Sequence, residues 1–181
     1  MKIFGIDPGS ERTGYGCIES AGSRHHLIVC GTLSAPTRAP FPEKLKLIHA
    51  GLAVLLDRHR PECVAVENIF YAKNVRSALK LGHARGVVLL AASEAQIPVV
   101  EYSPAEIKRA VVGYGRADKR QVQEMMKLLL GLDSAPSPHD VADALAIAIC
   151  HVHTCSTAVS RIARTVSGTP QTARTWRQYR P

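Results

Sequence analysis

Short apolar runs bounded by turn residues alternate along the chain with longer amphipathic stretches. The apolar runs predict five strands, at residues 2–7, 13–20, 26–34, 62–67 and 98–102. The amphipathic stretches predict five helices, at residues 42–59, 75–95, 104–111, 118–130 and 138–151. Three consecutive strands followed by alternating helices and strands are typical of a mixed sheet covered by helices. We therefore expect an α/β fold in which three antiparallel strands are followed by parallel strands.

Two of the predicted strands end in a carboxylate. The run KIFGID ends at Asp7, and the run ECVAVE ends at Glu67. In an open α/β sheet, the carboxyl ends of neighbouring parallel strands meet at the crevice where ligands bind. The predicted helix HDVADALAIAI carries Asp140 and Asp143, which share one helix face because they are three residues apart. We expect the four acids to meet at one site.

Four carboxylates at one site repel one another. At an effective dielectric constant of about 20, two like charges about 4 Å apart cost on the order of 4 kcal/mol. Such a cluster stays ionised only around cations, and ligands that are all oxygen favour Mg²⁺ or Mn²⁺ over zinc. The sequence therefore predicts a site for a divalent cation.

Each acid also has an interpretation without a metal. Asp7 precedes a proline and fits a turn, Glu67 fits an ion pair or a solvated strand end, and Asp140 fits a helix cap. Asp143 lies one turn into an apolar helix, where it has no capping role. The joint occurrence of the acids favours a site more strongly than any one of them does.

The composition is that of one ordinary globular domain. Of the 181 residues, 46% are hydrophobic and 5% are aromatic, so the predicted core is aliphatic. The chain contains no uninterrupted apolar run of about 18 residues or more, and its N-terminus enters a strand instead of a signal peptide. We expect a cytoplasmic protein without a membrane partner, whose five cysteines are reduced thiols.

Four side chains of the types that bind zinc crowd the predicted end of the last helix: Cys150, His151, His153 and Cys155. They lack the paired spacing of a zinc finger or a zinc ribbon. Buried cysteines, and histidines that favour the C-terminal end of a helix, are therefore the preferred interpretation, with structural zinc as the alternative.

The positive charge is concentrated at the C-terminal end of the chain. The formal net charge is +8; residues 156–181 hold five arginines and no acid, whereas residues 1–155 hold 18 Lys and Arg against 15 acids. The C-terminal segment is rich in Ser, Thr and Arg without apolar periodicity, which is typical of disorder. We expect a folded domain at 1–155 and a disordered basic tail at 156–181, which either holds a polyanion loosely or has no specific role.

Two clusters of basic residues indicate contact with nucleic acid. Directly after Glu67, a polar loop that leads into a helix contains Phe70, Tyr71, Lys73, Asn74 and Arg76. Aromatic faces beside cations suit an unstacked nucleic acid. A GYG turn is flanked by Lys108, Arg109, Arg116, Lys119 and Arg120, whose charges suit backbone phosphates. The alternatives are aromatic rings packed onto the core and a solvated basic helix face.

Four segments carry a resemblance to a known family: GIDPGSERTGYG, VENIFYAKNVRSALKLGHARG, VVGYGRADKRQV and HDVADALAIAICH. In these segments, which span residues 1 to about 153 in the same order, the chain resembles the RuvC family of Holliday-junction resolvases. The resemblance implies a ribonuclease H-like fold and a homodimer. It also implies a nuclease that uses Mg²⁺ or Mn²⁺ to nick two opposing strands of a four-way DNA junction symmetrically, with the branch-migration proteins RuvA and RuvB as partners.

The resemblance also implies roles for individual residues. The catalytic acids would be Asp7, Glu67, Asp140 and Asp143. Phe70 would contact unstacked bases, and Lys108 and Lys119 would engage DNA near the scissile phosphate. Some members of the family have His at the position of Asp140; here His139 precedes it and would point about 100° away around the helix.

Phosphodiester hydrolysis suits two cations about 3.5 to 4 Å apart. One would lower the pKa of a bound water, and the other would stabilise the leaving 3′ oxygen. We expect Asp7 to bridge the two ions, with Glu67 at one ion and Asp143, together with Asp140, at the other. Lys119 is the candidate for stabilising charge on the pentacoordinate phosphate.

The predicted helix at 75–95 has an apolar side that we expect to be a dimer seam. Symmetric cutting of a two-fold junction requires two sites related by a two-fold axis. This side is formed by Leu79, Gly82, Gly86, Leu89 and Leu90, and its glycines permit close approach of two helices. Ordinary packing within one subunit is the alternative.

Other functions stay open at the level of sequence. The DxG turn after the first strand also opens sugar-kinase and actin-like ATPases, but those need a second lobe for which 181 residues leave no room. A junction-binding protein without catalysis would explain the basic loops and not the four acids. A generic ribonuclease H, or a nuclease for another substrate, is a further alternative, because carboxylates and metal do not specify the shape of the nucleic acid.

Overall fold

The structure is a computed structural model that describes residues 1–68 and 74–167. Its strands are β1 (Lys2–Asp7), β2 (Arg12–Ala21), β3 (Arg24–Ser34), β4 (Cys63–Glu67) and β5 (Val99–Tyr102). Its helices are α1 (Phe41–His59), α2 (Val75–Glu94), α3 (Pro104–Val112), α4 (Lys119–Leu130) and α5 (His139–Ser167). The order and type of all ten elements confirm the prediction. In the part of the chain that the structure describes, no helix is long and apolar enough to cross a bilayer.

The strands form one mixed sheet in the order β3-β2-β1-β4-β5. β1 pairs antiparallel with β2, and β2 pairs antiparallel with β3. β1 pairs parallel with β4, and β4 pairs parallel with β5. The short turns after β1 and β2 permit only antiparallel neighbours, whereas α1 and α2 provide the long crossovers that parallel strands need. The predicted mixed sheet is therefore confirmed.

The central strands are buried on both faces, which is why they are almost entirely apolar. Phe4 and Ile6 pack against α1 and α2, whereas Ile3 belongs to the core formed with α3, α4 and α5. Since side chains alternate between the faces of a strand, Asp7 follows Ile3 onto the α5 face. By the same alternation, Glu67 follows Cys63 and Ala65 onto this face.

Helix α5 lies unusually close to the sheet because glycines face it. A Cβ atom built on Gly5 would lie 2.0 Å from the carbonyl oxygen of Ala144. A Cβ atom on Gly14 would lie 2.0 Å from the carbonyl oxygen of Asp140. Both neighbours are backbone atoms, so only a glycine permits the helix to approach this far. This close approach places the first turn of α5 over the end of β1.

Helix α5 ends at Ser167, so its predicted end at residue 151 is wrong. The sequence between Pro138 and Gly168 contains no glycine or proline that would stop a helix. The helix therefore crosses residue 155, where the folded domain is predicted to end. The predicted disorder after Ser167 lies outside the described residues.

Candidate active site

The structure brings the four predicted acids to one end of the sheet. Asp7 and Glu67 are the last residues of β1 and β4, which are parallel neighbours with Ile6 opposite Val66. Their side chains therefore project from adjacent strand ends on the face that α5 covers. Asp140 and Asp143 lie in the first two turns of α5, which the glycine contacts hold against this end of the sheet.

Three of the acids line a pocket of about 250 Å³, whereas Asp140 is not part of its lining and pairs with Arg12. The polar lining consists of Asp7, Glu67, Asp143, Lys108 and Lys119. The apolar lining consists of Pro104, Ile107, Val122 and Ile147. The pocket thus combines anionic oxygens with two ammonium groups against an apolar wall. Such a combination suits a phosphate-bearing substrate together with cations.

Burial and neighbouring carboxylates raise the pKa of two of the acids, Asp7 and Glu67. Burial and the charges of Glu67, Asp143 and Asp140 raise the pKa of Asp7 from 3.8 to about 8. Burial and the charge of Asp143 also raise the pKa of Glu67, while Lys119 and Lys108 lower it. The Asp143 carboxylate raises the pKa of Lys119. A bound cation would relieve this repulsion, because it favours the ionised form of each acid.

The donor set fits a hard divalent cation. Among the described residues, no group of three or more His, Cys, Asp or Glu side chains is arranged to hold a metal ion by itself. Mg²⁺ does not require such a set, since it keeps several waters and binds through one or two carboxylates plus substrate phosphates. Partly buried carboxylates that line an open pocket beside Lys119 match that mode of binding.

The stability of the metal-free protein should fall as the pH rises from about 4 to about 8. In that range, native Asp7 holds a proton that the unfolded chain has released, because its pKa is raised from 3.8 to about 8. Asp7→Asn removes the contribution of Asp7 to this dependence. In EDTA at pH above 8, we expect the variant to melt about 5 °C higher than the parent, since relief of the repulsion contributes on the order of 2 kcal/mol.

Melting curves at acid and alkaline pH in EDTA check this expectation. Groups other than Asp7 titrate in both proteins, so the difference between the two proteins isolates Asp7. Parallel pH profiles for the parent and the variant would show that Asp7 is not protonated in the native state.

Two ion pairs connect the acids to cations on different elements. Lys119 Nζ lies 3.3 Å from Asp143 Oδ2. Lys119 begins α4, whose start is defined by a capping box between Asp118 and Gln121. Arg12 Nη1 lies 3.6 Å from Asp140 Oδ2, a contact that the sequence analysis missed. The alternation along β2 places Arg12 on the α5 face with Gly14, but its contact with Asp140 depends on how α5 crosses β2.

The other residues predicted to contact DNA lie in different places. Lys108 lines the acid pocket, whereas Arg120 lines a separate cavity with Val112 and Met125. Arg76 is exposed at the start of α2, and Asn74 caps this helix by accepting hydrogen bonds from the backbone of Arg76 and Ser77. Three further predictions fall outside the described residues: Phe70, Tyr71 and Lys73. Arg109 lines a third cavity, and Arg116 is exposed.

The histidines and cysteines of α5 lie away from the acids, apart from His139. His139 is exposed, and no hydrogen bond or ion pair within the described residues involves it. His151 Nδ1 lies 2.8 Å from the Tyr102 hydroxyl. Burial raises the pKa of the Cys150 thiol to about 11, so this group stays protonated at neutral pH. Cys150 and His151 are buried, as the preferred interpretation expects, but α5 continues to Ser167, so the prediction that these histidines lie at the C-terminal end of a helix is wrong.

Comparison with known proteins matches most of the chain to one family. A family model described as "Crossover junction endodeoxyribonuclease RuvC" matches residues 3–151. The RuvC of Pelotomaculum thermopropionicum is 51% identical over 153 residues, which cover 84% of this chain and 93% of that protein. The RuvC of Koribacter versatilis is 52% identical over 158 residues, covering 87% and 95% respectively.

Solved structures give the same match. The structure of Thermus thermophilus RuvC has a TM-score of 0.80 and 39% identity, over 87% of this chain and 97% of that one. A structure of T. thermophilus RuvC in complex with a Holliday junction substrate also has a TM-score of 0.80, at 37% identity, over 87% and 96%. The yeast mitochondrial Holliday junction resolvase, at 14% identity and a TM-score of 0.63, shows only that the fold is shared.

Proposed function

This chain belongs to the RuvC family of crossover junction endodeoxyribonucleases, and on that premise we propose that its four converging acids cut Holliday-junction DNA in a metal-dependent reaction. The fold is the ribonuclease H-like fold expected for this family. The observation that supports the proposal is the convergence of Asp7, Glu67, Asp140 and Asp143 at one end of the sheet. A junction-binding protein without catalysis would not require this cluster.

The acids would hold two Mg²⁺ or Mn²⁺ ions. Asp7 is the candidate bridging ligand, because the charges of the other three acids all reach it. Glu67 would serve one ion, and Asp143 with Asp140 would serve the other. When bound, such ions activate a water for attack on phosphorus and stabilise the leaving 3′ oxygen. The chain itself contributes the buried anionic pocket that concentrates these cations.

The ammonium groups at the pocket would bind and orient the scissile phosphate. Lys119 is exposed enough to exchange its contact with Asp143 for a phosphate oxygen, since its side chain is 64% exposed. There its charge would stabilise the negative charge that develops on the pentacoordinate phosphate. Lys108 would hold the same or a neighbouring phosphate from the α3 side of the pocket.

A cleavage assay on defined junctions tests the function. End-labelled synthetic four-way junctions and matched linear duplexes would be incubated with the protein in Mg²⁺, Mn²⁺ or EDTA, and the nicks mapped on each strand. Paired symmetric nicks that require metal and are confined to the junction are expected. Tight binding without nicks would instead identify a binding protein, and equal cutting of linear duplexes would identify a nuclease of another specificity.

A homodimer would place two such sites about a two-fold axis, as symmetric nicking requires. One side of α2 is exposed and apolar in the single chain: Leu79 is 60% exposed and Leu90 is 52% exposed. Gly82 and Gly86 have open space where a Cβ would stand, and Leu89 is half-buried at the border. The side of α2 that packs on the core is formed instead by alanines and Val88. This division between two faces supports α2 as the dimer seam.

We expect the protein to sediment as a dimer at micromolar concentration and Leu79→Asp to convert it to a monomer. The substitution would place a charge within an apolar seam, where it could not be solvated. Leu128→Asp is the matched control, because Leu128 is 71% exposed on α4, outside the seam. A monomeric parent protein, or equal dissociation of both variants, would contradict α2 as the seam.

The remaining assignments follow from the family and the sequence. The loop and helix start after Glu67 would contact bases and phosphates near the junction, through Phe70, Tyr71, Lys73, Asn74 and Arg76. Arg120 would contact phosphates outside the pocket. RuvA and RuvB would be partner proteins, and the protein would act in the cytoplasm on DNA. The residues up to 155 would form the nuclease domain, and those beyond would be a basic tail.

A further inference from the structure

Arg12 reaches the acid cluster from β2 and pairs with Asp140, outside the pocket that Lys108 and Lys119 line. It is the first residue of β2, and its guanidinium contacts Asp140 while remaining 52% exposed. We propose that Arg12 binds a DNA backbone phosphate adjacent to the scissile one and so fixes the path of the cut strand on the β2 side of the site. This role depends on the nuclease function proposed above and adds a phosphate contact to it.

The backbone around Arg12 is firmly held. The hydroxyl of Thr13 is buried; it donates a hydrogen bond to the Gly9 carbonyl oxygen at 2.9 Å and accepts one from the Gly9 amide at 3.3 Å. On the other side, the Glu11 carboxylate pairs with Lys44 of α1, a lysine that is only 5% exposed. Arg12 therefore projects from a turn that is anchored at both neighbours, and only its side chain is free to move.

The contact between Arg12 and Asp140 is loose enough to exchange. It involves one guanidinium nitrogen at 3.6 Å, and both side chains are partly exposed. Exposed ion pairs of this kind contribute little to stability. A phosphate offers a guanidinium two parallel hydrogen bonds, which is a stronger and more directional interaction. Incoming DNA can therefore take over the guanidinium from Asp140.

Two acids of the cluster each pair with a cation from a different element of the fold. Asp140 and Asp143 are about 4.5 Å apart along the axis of α5. Arg12 pairs with the first of these acids, and Lys119 of α4 pairs with the second. A strand whose scissile phosphate meets the acids and Lys119 would have a neighbouring phosphate within reach of Arg12. Arg12 would thus add a phosphate contact outside the pocket that Lys108 and Lys119 line.

The salt dependence of junction binding tests this role. Binding of an intact four-way junction would be measured in Mg²⁺ with an Asp7→Asn background, which prevents cutting, over about 50 to 200 mM salt. Arg12→Gln should raise Kd about 3- to 10-fold and reduce the slope of log K against log salt by about 0.9, the value for one lost phosphate contact. Arg12→Lys should retain the slope, because it keeps the charge.

Arg24→Gln is the matched control. This substitution removes the same charge, and Arg24 lies at the other end of the β2–β3 hairpin. It should leave the slope unchanged. An unchanged slope for Arg12→Gln would overturn the proposal. In that case, cleavage would be measured for Arg12→Gln in the protein that retains Asp7. A lower cleavage rate would then show that Arg12 positions Asp140 and does not contact DNA. The nuclease function is tested independently, because the salt dependence of binding is measured without cleavage. Absence of metal-dependent cleavage by the parent protein would refute the nuclease function alone.

Discussion

Asp7→Asn should abolish cleavage of a four-way junction while leaving junction binding intact. Asp7 is partly buried, and the charges of Glu67, Asp143 and Asp140 all act on it. Asparagine has nearly the same shape but lacks the charge needed to hold cations against those acids. We expect the cleavage rate to fall by roughly 10³-fold or more, because the reaction depends on metal activation of the attacking water.

Single-turnover cleavage and a binding titration in the same Mg²⁺ buffer would separate the two properties. Asp133→Asn is the control, because Asp133 is an exposed acid in the loop before α5. This control should cut at the rate of the parent protein. Cleavage by Asp7→Asn would show that Asp7 is not a catalytic metal ligand. Loss of junction binding by Asp7→Asn would show that this acid also supports the DNA-binding surface.

The substitution Gly14→Ala should destabilise the protein and impair cleavage together. The new methyl group would lie 2.0 Å from the carbonyl oxygen and 2.5 Å from the carbonyl carbon of Asp140. These are backbone atoms, so the clash is relieved only if α5 moves away from the sheet. Such overpacking costs about 3 kcal/mol, which lowers Tm by about 10 °C in a chain of this size.

Displacement of α5 would also move Asp140 and Asp143 away from Asp7, and a misplacement of about 1 Å costs on the order of 10²-fold in rate. Gly115→Ala is the control, since a Cβ there meets its nearest neighbour at an ordinary 3.5 Å. Thermal melting and cleavage would be measured for both variants. A Gly14→Ala protein with parental Tm and rate would show that the helix does not depend on this contact.

Much of the fold could be predicted from local patterns. The short apolar runs in KIFGID and ECVAVE identify buried strands, and this prediction is confirmed at β1 and β4. The end of α5 was predicted wrongly at residue 151, although the sequence that follows contains no residue that stops a helix. A helix continues until something stops it, and the sequence offers no glycine or proline before Gly168.

The candidate site was predicted in part. Asp7 and Glu67 follow from strand ends, and Asp140 and Asp143 follow from helical spacing. Arg12 was not predicted, because its relation to Asp140 depends on how α5 crosses β2. The ion pair of buried Lys44 with exposed Glu11 was missed for the same reason, since it joins α1 to the turn after β1. Neither contact connects residues that are close in sequence.

The sequence by itself predicted the order and type of the elements and the candidate acids, because these depend on local periodicities and on which residues end a strand or share a helix face. Only the tertiary structure decided that α5 approaches the sheet closely at Gly5 and Gly14, and that Arg12 and Lys119 pair with different acids of the cluster. The raised pKa of Asp7 was also decided only by the tertiary structure. Burial and the distance between charges depend on packing between elements that are far apart along the chain, which no local pattern encodes.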